Sequence, residues 1–115
     1  MTLTREEILA IEPDEELDRL IDEIIYEREV IKFPMGLCYH DGVSWRASKD
    51  YSTDISAAWE VLEQFKQYTV MKAAGWAEEY DCRIWVGITG DQWSVQAKTA
   101  PEAICKAALL AVLKL

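Results

Sequence analysis

The sequence predicts an α+β fold, helices packed with a small antiparallel sheet, and three observations predict it. Apolar residues recur at helical spacing along 17–25 and again along 55–65. Ile84, Val86 and Ile88, then Trp93, Val95 and Ala97, alternate on either side of a turn signal, as the strands of a hairpin do. A nearly all-apolar segment then closes the chain behind a helix-start signal.

Thr4-Arg5-Glu6-Glu7 reads as a capping box and starts a short helix through Ile11, stopped by Pro13. Pro13 suits the first turn of a second helix, with Leu17, Leu20, Ile21, Ile24 and Ile25 on one face, running to about residue 30. Asp18 and Asp22 are placed mostly off that stripe, on the solvent side. Asp41-Gly42 signals a tight turn that would set His40 against Val43, Tyr39 against Ser44 and Cys38 against Trp45, or else an ordered loop. Ser52-Thr53-Asp54 caps a third helix through Ile55, Ala58, Trp59, Leu62 and Phe65, extending to about Ala74, with Gly75 placed to end it.

With Gly90-Asp91 as a two-residue turn, Ile88 faces Trp93, Val86 faces Val95 and Ile84 faces Ala97. The reverse face then pairs Gly87 with Ser94, Trp85 with Gln96 and Arg83 with Lys98. Thr99-Ala100-Pro101-Glu102 is a second capping box, opening a helix to Leu113 whose only charge before Lys114 is Lys106. A helix apolar nearly all round must be covered on several sides, by its own chain or by a second subunit.

Composition narrows the function classes. The 115 residues fit one domain, 1–115, and 50% hydrophobic with 29% charged residues is a globular balance. A net charge of -9 argues against a protein that grips a nucleic-acid backbone. Residues 1–30 hold eleven acids and three arginines, a balance of -8, and the remainder holds -1. A small anion can therefore approach the near-neutral part, while the acidic quarter serves as a solvated face or as a patch for a basic partner. No apolar run is long enough to cross a bilayer, and the first residues lack the pattern of an export signal. Three cysteines without paired spacing read as reduced thiols of a cytosolic protein.

The candidate chemistry is for binding. Trp85, flanked by Arg83, Gln96 and Lys98 and bordered by Gly87 and Ser94, has the makings of a stacking platform for a planar anion such as a nucleotide. A helix covering that face would make Trp85 ordinary core. Tyr51, Ser52 and Thr53 stand at a helix start, where free amides attract anions, although Asp54 opposes a phosphate there. The alternative is plain capping, and the five tryptophans as a group read as core. His40, Cys38, Cys82 and Cys105 lack the spacing of a zinc site, and no motif places Cys82 or Cys105 beside His40 as a nucleophile pair. No metal and no cofactor is expected.

Tyr51-Ser52-Thr53-Asp54-Ile55-Ser56-Ala57-Ala58-Trp59-Glu60-Val61 resembles a signature segment of the phage ABA-sandwich domain family. Thr99 to Leu110 is similar to the family's C-terminal segment, and Thr4 to Leu9 with Glu16-Leu17-Asp18 to its start. The resemblance implies a phage or prophage origin and an α/β/α sandwich, a small antiparallel sheet flanked by helices. It implies no activity, cofactor or catalytic residue. The expected function is non-enzymatic binding by a phage accessory protein that modulates a host process such as anti-phage defence. It would act through contacts with a host or phage protein, or through self-assembly by the apolar C-terminal helix. Sequestration of a small nucleotide is the alternative, and a small Cys/His enzyme the third.

Overall fold

A computed structural model describes residues 3–72, 79–86 and 90–115. The fold is α+β, with four α-helices and two three-stranded antiparallel sheets among the described residues. Helix α1 (Arg5–Ala10) starts as read, the Thr4 hydroxyl accepting from the Glu7 amide at 3.2 Å and the Glu7 carboxylate from the Thr4 amide at 3.3 Å. Helix α2 (Glu15–Leu20) is capped by Asp14, so Pro13 precedes the cap instead of entering the first turn.

The second helix stops short of residue 30. It passes into a π-helical turn, Ile21–Ile25, and Glu27 then takes a φ of 54°, a conformation no helix continues through. Strand β1 (Val30–Phe33) follows and pairs with β2 (Gly36–His40), which pairs with β3 (Trp45–Ala47). His40 meets Trp45 and Tyr39 meets Arg46, two residues off the expected pairing. Asp41 is the reason. Its carboxylate accepts from the Val43 and Ser44 amides, both at 2.8 Å, and its own amide donates to the Ser44 carbonyl. Asp41 thus opens a longer, side-chain-bonded turn in place of a tight two-residue one.

Helix α3 (Ile55–Leu62) is capped by Asp54, whose side chain accepts from the Ser56 amide at 2.8 Å. It ends at Leu62 rather than near Ala74, because Gln67–Lys72 forms strand β4. Tyr, Thr and Val in that stretch suit a pleated surface, and pairing with a neighbouring strand outweighs the helical spacing. Ala74 and Gly75 lie outside the described residues.

Strands β5 (Tyr80–Val86) and β6 (Asp91–Ala97) complete the second sheet in the order β4-β5-β6. The expected hairpin forms in another register: Ile84 faces Trp93, Cys82 faces Val95, and Trp85 faces Gln92 instead of Gln96. The four residues 87–90 separate the paired ends Val86 and Asp91, so Asp91 belongs to the strand and Gly90, at φ +83°, to the connection. The slip is four residues. Being even, it leaves every side chain on the expected face. Gly87 and Ile88 lie outside the described residues.

Helix α4 (Ala100–Leu113) is the centre of the core. Pro101 through Ala111 are buried except for the half-buried Glu102, with the inner face of β5 and β6 on one side and α3, α1 and the π-turn on others. Its own chain therefore supplies the cover that an apolar helix needs. Even Lys106 is enclosed, its Nζ donating to the Leu9 carbonyl at 2.8 Å and the Glu102 carboxylate at 2.6 Å. Alanines 103, 107, 108 and 111 let neighbours approach the helix closely. Trp45 and Trp59 are exposed and Trp85 half-buried, while half-buried Trp93 packs against the core, so of the described tryptophans only Trp93 keeps part of the core role the sequence suggested.

Candidate functional site

Alternation along β4, β5 and β6 sorts the second sheet into two faces. Cys82, Ile84, Val95 and Ala97 go inward against α4. The other face holds Gln67, Thr69 and Met71 of β4, Asp81, Arg83 and Trp85 of β5, and Gln92, Ser94 and Gln96 of β6. All three members from β4 and all three from β6 are exposed, so no helix blankets this face among the described residues. Trp85 is half-buried in it.

The register decides Trp85's neighbours. Gln96 lies opposite Asp81, four strand positions from Trp85 or roughly 13 Å away. Lys98 follows the last strand residue and lies farther still. Arg83 remains two positions off, with its Nε donating to Asp81 at 3.0 Å, while the Ser94 hydroxyl donates to the same carboxylate at 2.9 Å. The cation that does approach Trp85 is Lys66. Hollows of about 620 and 760 Å³ meet there, sharing Lys66, Gln67 and Trp85. Lys66 has no ion-pair partner among the described residues; it borders these hollows because the next residue, Gln67, pairs with Trp85, a pairing that helical spacing concealed.

Tyr51, Ser52 and Thr53 sit elsewhere. Tyr51 and Ser52 are buried, and only Thr53 is exposed. The Ser52 amide donates to Asp18 at 2.8 Å, and its hydroxyl donates to the Asp14 carbonyl at 3.2 Å. Burial raises the Asp18 pKa above the usual carboxylate value, against the lowering effect of its bonds to Ser52.

One turn on, Asp22 is completely buried and accepts from the Tyr51 hydroxyl at 3.1 Å, from Arg28 Nη1 at 3.2 Å and from the Ser48 hydroxyl. Asp18 and Asp22 are therefore not solvent-side residues. They clamp residues 48–52 onto the second helix. Tyr51 is further fixed by its carbonyl, which accepts from the Cys105 thiol at 3.2 Å. Burial and the Asp22 charge push the Tyr51 pKa well up, keeping its hydroxyl protonated.

Arg28 tops this cluster. Its guanidinium lies 4.6 Å from the Tyr26 ring centre and 4.1 Å from that of Tyr39. Burial alone would lower its pKa, but Tyr39, Tyr51 and Asp22 raise it, so it stays charged. A hollow of about 320 Å³ opens beside it, bordered by Lys49 and by Glu60 and Glu63 of the α3 end. Sequence reasoning missed this place entirely.

The remaining candidates stay apart. His40 is exposed, its Nδ1 accepting from the Gly42 amide at 3.1 Å, whereas Cys38, Cys82 and Cys105 are buried. Burial pushes the Cys82 thiol up to about 12 and the Cys105 thiol higher still, which suppresses the nucleophilic thiolate. Among the described residues, no three His, Cys, Asp or Glu side chains converge as metal ligands, and no helix is long and apolar enough to cross a membrane.

With this geometry in view, comparison with known proteins is informative. The family model of the phage ABA sandwich domain matches residues 9–109. The chain belongs to that family. This phage ABA sandwich protein is also similar to a phage protein from Bacillus cereus ATCC 14579, solved as a crystal structure. Identity is 30%, with a TM-score of 0.74 over 90% of this chain and 94% of that one. No curated protein matches. Membership brings a phage origin and a fold, and it assigns no residue a catalytic role.

Proposed function

We propose that this phage protein acts by binding and not by catalysis, as an accessory protein that modulates a host process such as anti-phage defence through contact with a host protein. The observation that carries the reading is the open face of the β4-β5-β6 sheet. Six exposed polar or flexible side chains share that face with half-buried Trp85, which has Gln67 and Gln92 directly beside it, an aromatic anchor among wet polar neighbours. The test is plating efficiency of a defence-sensitive phage on defended hosts that express this protein. Parent protein should raise plating, and Trp85→Ala should abolish the gain while still melting as a folded protein. Full rescue by a folded Trp85→Ala protein would remove this face from the reading.

A second reading, sequestration of a small nucleotide, is favoured by one juxtaposition: Lys66 and Trp85 line the same two hollows and offer charge and a stacking surface to one ligand. Cyclic and linear nucleotides, screened by thermal shift and then assayed for turnover, separate the cases. Unchanged melting leaves protein contact, and stabilisation without turnover supports sequestration. Turnover overturns non-enzymatic action.

A further inference from the structure

The hollow at Arg28 has walls of opposite character. On one side Arg28 uses Nη1 for Asp22 and Tyr51, while Nε and Nη2 have no acceptor among the described residues. On the other side stands Glu63, whose carboxylate has no donor among the described residues. Glu63 directly follows the last residue of α3, and its side chain is exposed at the rim. Glu60 and Lys49, also on the rim, already answer each other at 2.6 Å.

We propose that this hollow binds a small zwitterion, a free α-amino acid, with its carboxylate on the Arg28 fork and its ammonium toward Glu63 and the α3 end. A simple anion suits the place poorly, because Asp22 cancels the Arg28 charge and Glu63 leaves the lining net negative. A simple cation would leave the guanidinium donors facing it. A ligand carrying both charges satisfies both walls, and about 320 Å³ is at the small end of ligand pockets.

The arginine is also held ready. Asp22 and the rings of Tyr26 and Tyr39 fix its plane, so binding need not order it. Backbone irregularity concentrates here too, with the π-turn and the positive φ of Glu27 directly before Arg28.

The test is an NMR titration that follows the Arg28 Nε–H resonance, with the twenty amino acids as probes and acetate and methylammonium as half-ligands. At least one amino acid should shift that resonance saturably, at concentrations where neither half-ligand does. Glu63→Gln, an exposed change, should weaken that binding by about tenfold. Arg28→Lys, followed through the backbone amide resonances of Tyr39 and Gln64 at the rim, should abolish it, since an ammonium keeps the charge but loses the fork. Should Arg28→Lys fail to fold, Glu63→Gln and the half-ligands still decide. Three results overturn the proposal: no amino acid moving the resonance, acetate saturating the site equally well, or Glu63→Gln binding like the parent.

Discussion

Trp85 and Arg28 are both half-exposed beside a hollow, yet they are held in opposite ways. Trp85 rises from a regular strand, placed by the pleat alone, and no described side chain hydrogen-bonds to it. Arg28 follows an irregular turn and is gripped by a buried carboxylate and two tyrosine rings. The first can be altered with little consequence for the fold. The second is joined to the folding of residues 22, 48 and 51, so whatever it binds and whatever it stabilises are coupled.

The largest test of that contrast is Asp22→Ala. It strips the acceptor from Arg28, Tyr51 and Ser48 together and should cost about 2–4 kcal/mol in urea unfolding. A loss comparable to that of a surface change would break the contrast. Trp85→Ala comes next, with about 1 kcal/mol of stability lost because the ring is only partly covered, against a far larger loss in the plating assay.

Asp18→Asn sharpens the picture of the clamp. Burial raises the folded-state pKa of Asp18 above its unfolded value, so the folded protein holds a proton there more tightly. Stability contributed by that proton is full below the unfolded pKa and is lost as pH rises through the folded one. Asparagine can still accept from the Ser52 amide. The variant should therefore match the parent in acid and gain on it as pH rises above the ordinary carboxylate range, levelling off once pH has passed the raised pKa of folded Asp18. Melting curves across pH check this, and a widening advantage toward acid would refute it. The smallest effect is expected from Lys49→Ala. Its exposed pair with Glu60 should be worth no more than about 0.5 kcal/mol by denaturant titration.

Legibility in the sequence followed how local each cause was. The capping box at Thr4, the helix cap at Thr99 (where Glu102 turns to Lys106 instead of closing the box), the apolar girth of α4 and the faces of β5 and β6 depend on neighbours a few residues away, and these could be read. Residues 67–72 offered helical spacing and β-forming residues at once, and only the presence of β5 settles the conflict. The Trp85 site was half legible. Its face followed from alternation, but its partners depended on a register in which Val86 meets Asp91, so Lys66 stood in for Lys98. The Arg28 cluster joins positions 22, 28, 39 and 51, separations no local pattern reports. One trace existed, because Asp18 and Asp22 each directly follow a stripe residue at a spacing of four, closer to the buried side than a solvated face would require.

The π-turn at Ile21–Ile25 makes segment length as consequential as residue identity. It accommodates more chain per turn than an α-helix does. The wide turn can absorb the loss of one position, whereas deleting one from the regular helix before it would swing everything downstream by about 100°. Tyr26 and Arg28 would leave their partners although no side chain among them had been altered. Comparing lineages by spacing across this stretch would then separate chains that kept the arginine's station from those that merely kept the letter.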